Sequence, residues 1–289
     1  MRGIRFIASA AVLAVMTAGL SCSRNGTDKR GGDSGEEAAA VIYPDLTVTF
    51  LDMGKADSIV ITSGDGTVVI DCGEKGDGKD IVKFLKEQGV ETIDCLIATH
   101  YDKDHIGGAA KIVNSFDVLN VLGPDYQEPS SEYEKFRNAM KNRGVVPDIM
   151  RDDRSFVLGD AEYTVYAPKK DDYGPDDDND FSLVTKLVYH DTTFIFTGDA
   201  MEKRLDEVMD IGDCDLLKIP YHGRKIANLE EFVEAVSPEY AVVCTSNDEF
   251  SAKTMDILDD RGVDFWATCD NGRVTAVSNG CEITITTER

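Results

Sequence analysis

Thr99-His100-Tyr101-Asp102-Lys103-Asp104-His105-Ile106-Gly107-Gly108 is the stretch on which the reading of this chain turns. Two imidazoles and two carboxylates fall within His100–His105, directly after the apolar run from Ile93 to Ala98. Side chains of these types can together hold one or two divalent cations. A regular strand sends alternate side chains to opposite faces, whereas a loop at its carboxyl end lets them converge. Gly107 and Gly108 permit a tight entry into a following helix, whose N-terminus would face the site. The chain has only 4 His, and His100 and His105 are both here. A solvated polar loop is the plainer alternative, and the density of ligand-type side chains argues against it.

Two later segments repeat the pattern. In Phe196-Thr197-Gly198-Asp199-Ala200 an Asp follows an apolar strand and a Gly. The runs Ser182 to Tyr189 and Thr193 to Phe196 predict a hairpin turning at Asp191-Thr192. Antiparallel pairing then brings Asn179 and Asp180 close to Asp199. His190 lies by the turn, roughly 25 Å from Asp199 at about 3.3 Å per residue, and reads as a surface residue. In Lys218-Ile219-Pro220-Tyr221-His222-Gly223-Arg224 a further His follows an apolar strand. Taken singly, Gly198-Asp199 reads as a turn and His222 as structural; in sequence order with the first segment they read as a site.

Around these segments, β-rich runs split by Gly and Asp turns alternate with helical periodicity. Leu46 to Leu51, Ser58 to Thr62, Thr67 to Ile70 and Val118 to Leu122 read as strands, and Asp80 to Gln88 and Ser130 to Asn142 as helices. Helices from Met201, near Leu229 and up to Asp260 are interspersed with further strands. This α/β pattern predicts sheets packed between helices in one domain over 44–289. Residues 23–43 carry no apolar period and read as a flexible tether. Residues 1–22 read as an export signal: Arg2 and Arg5 precede an apolar run from Phe6 to Leu20, too short for a membrane span. The run closes at Gly19-Leu20-Ser21-Cys22, which resembles a bacterial lipoprotein box, with Cys22 as the lipidated residue. Cleavage without lipid is the alternative, so the mature chain is expected to be extracytoplasmic, secreted or membrane-anchored.

Lys and Arg number 30 against 54 Asp and Glu, a formal net charge of -24. Such a surface repels a phosphate backbone at long range, so a nucleic-acid substrate would need a local basic groove or metal ions. Solubility alone would equally account for the excess. Of the 7 cysteines, Cys95, Cys214 and Cys244 lie in or beside apolar runs, where free Cys packs as a small core residue. Mostly free thiols are therefore expected.

In order and spacing these motifs resemble the metallo-β-lactamase-fold hydrolases, and among them the extracellular domain of ComEC-type DNA-uptake competence proteins. The resemblance spans about Leu46 to Thr286. It rests on Phe50 to Ser58, Val69 to Gly73, the His100 to Gly108 segment, Asp180 to Val184, Thr197-Gly198-Asp199 and Tyr221-His222-Gly223. It implies a four-layer αββα sandwich with one or two divalent metal ions, Zn or Mn, at one edge. His100 and Asp102 would serve the first metal, Asp104, His105 and His222 the second, and Asp199 would bridge them. The implied chemistry is attack by a hydroxide held between the cations on a phosphorus or carbonyl centre, with Asp104 and Asp199 as catalytic residues.

Asp102 stands where the broader family has a second His. No His is available as the first metal's third imidazole, and Asp180 would substitute. Tyr221 and Arg224 replace a His and a Ser that often flank His222, and Ala252-Lys253 stand in place of an expected His-Pro. Arg224 and Lys225 would bind a substrate phosphate, or are ordinary surface cations. The expected activity is metal-dependent phosphodiester hydrolysis, with nucleic acid or another phosphoester as substrate and membrane contact only through a lipid. A small-molecule ester, phosphoester or lactam hydrolase is the alternative, and a binding protein with a decayed metal site a further one.

Overall fold

The structure is a computed structural model that describes residues 4–7, 45–64, 66–174 and 178–289. Two 8-stranded sheets stack face to face. One runs, in spatial order, through Arg5–Ile7, Arg154–Leu158, Ala161–Tyr166, Val184–Tyr189, Thr192–Phe196, Leu216–Lys218, Tyr240–Val243 and Asp264–Ala267. The other runs through Ile283–Thr287, Val274–Ser278, Leu46–Phe50, Ile59–Ser63, Gly66–Ile70, Cys95–Ile97, Val121–Pro124 and Asp148–Met150. Alternating side chains from both sheets meet in a buried apolar middle layer that includes Val48, Phe50, Ile61, Ile97, Phe156, Leu187, Phe194 and Val242.

Helices cover the two outer faces. Gly78–Glu87 buries Ile81, Val82 and Leu85 at helical spacing, and with Ala109–Ser115 and Ser131–Arg143 it packs over Val69, Leu96 and Ala98. Leu229–Val236 and Ala252–Asp260 pack likewise over Ile195, Leu217 and Val243. The layers are therefore α, β, β and α. Local chemistry agrees with the boundaries. Ser130 Oγ accepts from the Tyr133 amide at the start of Ser131–Arg143, and Gly144 ends that helix at φ 71°.

Each sheet is antiparallel on one side and parallel on the other. Gly66–Ile70, Cys95–Ile97 and Val121–Pro124 run parallel, as do Thr192–Phe196, Leu216–Lys218 and Tyr240–Val243. The two parallel halves open their carboxyl ends at one edge of the sandwich. That edge receives Asp71, His100, Asp199 and His222.

Three expectations are corrected in detail. Tyr189 pairs with Thr192, so the hairpin turns at His190-Asp191, one residue earlier than expected, with His190 at φ 53°. Val118 to Leu122 is two short strands, Asp117–Val118 and Val121–Pro124. Lys103–Ile106 is a helical turn, so Asp104 and His105 project from a short helix that precedes Ala109–Ser115. Gly107 and Gly108 are small because the chain passes close to the loop after Gly66–Ile70: a Cβ on Gly108 would lie 2.2 Å from the Cys72 carbonyl oxygen.

The expected signal (1–22), with Cys22, and the tether (23–43) lie outside the described residues apart from Ile4–Ile7. Of these, Arg5–Ile7 pairs antiparallel with Arg154–Leu158. Among the described residues no helix is long and apolar enough to cross a membrane.

Cys72, Cys95, Cys214 and Cys244 are free and buried, and Cys269 is free and partly exposed. Burial pushes the first four thiols well up from their ordinary range. Iodoacetamide at pH 8, read by peptide mass mapping, should therefore modify Cys269 in the native protein and leave these four unmodified until the chain is unfolded.

Candidate metal centre

Three imidazoles converge at this edge, each fixed through Nδ1. Asp71, at φ 59° after Gly66–Ile70, accepts from the Thr99 amide (2.9 Å) and from Thr99 Oγ1 (2.7 Å). The same carboxylate takes His105 Nδ1 at 2.7 Å. The single hydroxyl hydrogen of Thr99 goes to Asp71, so His100 Nδ1, 3.1 Å from Thr99 Oγ1, must be the donor in that pair. His222 Nδ1 faces the Cys244 carbonyl oxygen at 3.2 Å, which can only accept. When neutral, each ring thus carries its proton on Nδ1 and turns an Nε2 lone pair inward.

Those lone pairs meet carboxylate oxygens. His222 Nε2 and His105 Nε2 lie 2.9 and 3.4 Å from Asp199 Oδ2, and His100 Nε2 lies 3.7 Å from Asp102 Oδ2. The three Nε2 atoms and Asp199 Oδ1 are buried without a hydrogen-bond partner. Acceptors facing acceptors at these distances require a positive charge between them. His100, His105 and Asp199 form one group whose ligand atoms lie within 4.8 Å of one another, and Asp104, His105 and His222 form a second. Nitrogen and oxygen donors in this number and spacing fit one or two divalent cations.

The backbone is bent to present these groups. Among the described residues, Asp71, Tyr221 and His222 are non-glycine positions held at positive φ (59°, 50° and 52°), which costs energy and clusters at functional sites. Gly198, at φ 54°, lies so close to Thr99 that a Cβ would come within 2.8 Å of the threonine Cβ. It lets Asp199 reach across to the other sheet.

Charge compensation completes the site. Asp57, Asp71, Asp104 and Asp199 are all buried. Lys218 is also fully buried. Its Nζ contacts Asp57 Oδ2, donates to the Gly198 carbonyl (2.8 Å) and lies 3.7 Å from Asp199 Oδ1. Burial pulls the Lys218 amine down, but Asp57 and Asp199 outweigh it and hold the ammonium above its ordinary value. Burial likewise opposes ionisation of Asp199, and His222 and His105 outweigh it, keeping that carboxyl well below the usual range. At His105 burial favours the neutral ring, while Asp199 and Asp71 draw it above its ordinary value. A proton and a cation therefore compete for this nitrogen.

The cleft over the site, about 380 Å³, is lined by Lys55, Asp102, Lys103, Asp104, Glu128, Ser130, Glu132, Asn179, Asp199, Tyr221, His222 and Arg224. Lys55 Nζ lies 3.0 Å from Asp104 Oδ2. Of the expected ligands, His100, Asp104, His105, Asp199 and His222 come together. Asp102 stands at the rim beside His100, where that imidazole holds its carboxyl below the usual range. Asp180 is placed otherwise: its Oδ1 accepts from the Met201 and Arg204 amides (3.1 and 3.0 Å), at the start of Glu202–Glu207. As the hairpin register requires, the neighbouring Ser182 Oγ accepts from the Asp199 amide at 3.1 Å.

Arg224 lines the cleft, but its Nε is committed to Glu249 and its guanidinium lies over the Tyr221 ring. Lys225 is exposed and does not line the cleft. His190 sits at its turn, 3.7 Å from Asp160. Asp57, Asp71, Thr99, Lys55 and Lys218 were not singled out from the sequence as site residues. Lys218 left a trace there, as a charged residue inside the apolar strand Leu216-Leu217-Lys218-Ile219.

The family model described as the Metallo-beta-lactamase superfamily matches residues 51–246. ComE operon protein 3 of Bacillus subtilis (strain 168) is 27% identical over 81% of this chain and 34% of its own length. Competence protein ComA of Neisseria gonorrhoeae is 27% identical over 70% of this chain and 27% of its own length. The chain thus spans about a third or less of these relatives. The solved structure of the metallo-beta-lactamase fold protein YhfI from Bacillus subtilis superposes with a TM-score of 0.53 at 14% identity, covering 78% of this chain and 96% of that one.

His105 belongs to the group with His100 and Asp199 and to the group with Asp104 and His222, so its Nε2 can serve whichever of these is filled first. His105→Ala should therefore weaken uptake of Mn²⁺ or Zn²⁺, measured by titration calorimetry, more than His100→Ala or His222→Ala does.

Proposed function

We propose, from the premise that this chain belongs to the metallo-β-lactamase superfamily, that it is an exported phosphoester hydrolase, with phosphodiesters as its leading substrate class. That it is a metal-dependent hydrolase follows from the family and the donor set. The observation that carries the reading is the set of three buried imidazole Nε2 atoms turned onto the carboxylates of Asp199 and Asp102. His100, His105 and Asp199 would hold one cation, and Asp104 and His222 a second. A bound divalent cation supplies Lewis-acid activation of water and neutralises charge developing on a phosphoryl or acyl oxygen. The mix of nitrogen and oxygen donors suits Zn²⁺ or Mn²⁺.

The chain's own groups supply the rest. Asp71 and the Cys244 carbonyl orient His105 and His222. Asp104 faces the cleft, where its Oδ2 can accept a proton from the attacking water. Lys55, partly exposed beside Asp104, can pair with an anionic substrate oxygen. Arg224, held by Glu249 through Nε and by Tyr221 through Nη1, lines the same cleft and can add a further N–H donor. Export, and lipid attachment at Cys22, are supported by the basic start, the apolar run and the Ser21-Cys22 junction.

Likeness to a competence protein favours a nucleic-acid phosphodiester. Asp102, Glu128 and Glu132 on the cleft wall, in a chain of net charge -24, favour a short phosphoester over a long polyanion. The purified protein should hydrolyse bis-(p-nitrophenyl) phosphate with added Mn²⁺ or Zn²⁺. Asp199→Ala should lower kcat/KM more than about a hundredfold, beyond the loss expected for a supporting group. Turnover of a chromogenic cephalosporin or a carboxylic ester, without phosphodiesterase activity, would move the reading to a small-molecule hydrolase. No bound cation and no activity with any supplement would favour a binding protein.

A further inference from the structure

Lys218 sits where a chain does not place an ammonium without compensation. It comes from an apolar strand, has no exposed surface, and lies beneath the metal centre between the two sheets. An ammonium buried in this way persists only if it is paired and hydrogen-bonded. Its partners connect to particular ligands. The bond from Nζ to the Gly198 carbonyl fixes the peptide that carries Asp199, at the position where Gly198 is held at φ 54°. The contact with Asp57 Oδ2 holds that carboxylate with its Oδ1 3.6 Å from His222 Nδ1, next to the Cys244 carbonyl that Nδ1 faces at 3.2 Å. The Asp57 amide in turn donates to the Asp104 carbonyl at 3.2 Å. One ammonium therefore touches the supports of Asp199, His222 and Asp104.

We propose that Lys218 is a positioning residue for the metal centre: through Gly198 and Asp57 it sets the placement of Asp199 and His222, and so the affinity for divalent cations. Its single charge also offsets the crowded carboxylates before any cation enters. Simple charge balance would make the opposite prediction, because removing a positive charge beside cation ligands should strengthen cation binding.

This inference rests on the metal-centre reading, and the test separates the two. Mn²⁺ and Zn²⁺ binding to the full chain are measured by titration calorimetry and by metal analysis after gel filtration, for wild type, Lys218→Met, Asp57→Asn and the double variant. Thermal unfolding is followed in parallel. Cation affinity should fall about 10- to 100-fold in each single variant, the loss typical of a removed supporting group. The double variant, which buries no unpaired charge, should recover thermal stability but not affinity. Unchanged or tighter binding in Asp57→Asn, or full recovery of affinity in the double variant, would overturn the positioning role. If Lys218→Met does not fold, the nearly isosteric Asp57→Asn decides the question alone. A wild-type protein that binds neither cation would sink the metal-centre reading itself.

Discussion

Mutual repulsion among buried carboxylates is the constraint on which this structure depends. Asp57, Asp71, Asp104 and Asp199 lie within one edge of the sandwich, each almost fully removed from water. Ionised carboxylates in that setting are costly unless cations or hydrogen-bond donors answer them. Asp71 is answered by Thr99 and His105, and Asp57 by Lys218. Asp104 is answered in part by Lys55. Asp199 is the least satisfied: its Oδ2 meets only imidazole Nε2 atoms, and its Oδ1 has no hydrogen-bond partner. The site is built to receive further positive charge, and the hydrolytic chemistry follows from where that charge must sit.

The fold makes this arrangement attainable by opening the parallel halves of both sheets at the same edge. Each functional segment leaves a strand of a parallel run and turns at once. The turns are strained at Asp71, Tyr221 and His222, and the strain is held by the packed layers beneath. Lys218 and Asp57 join the two sheets below the ligands.

Much of this was legible in the sequence. His100, Asp104, His105, Asp199 and His222 are polar residues placed after apolar strands, and that contrast survives without coordinates. The hairpin register expected Asn179 and Asp180 near Asp199 and His190 far away; Asn179 lines the same cleft as Asp199, the neighbouring Ser182 bonds the Asp199 amide, and His190 sits at the turn. What could not be read was the fate of groups whose partners are remote in the chain. Asp180 looked like a spare ligand, yet its Oδ1 accepts from two helix-start amides about twenty residues on. Arg224 looked like a free cation, and it is paired with Glu249. Lys218 showed only as a charge inside an apolar strand, because its partner Asp57 comes from the other sheet. Such pairings are set by three-dimensional packing, which periodicity does not encode.

Anomalous X-ray diffraction from crystals grown with Mn²⁺ or Zn²⁺ tests the central claim most directly. One or two metal peaks are expected within bonding distance of the Nε2 atoms of His100, His105 and His222 and of the Asp199 carboxylate. That claim would be contradicted by crystals with no peak there, or with metal only at the outer cluster of Asp102, Glu128 and Asp178.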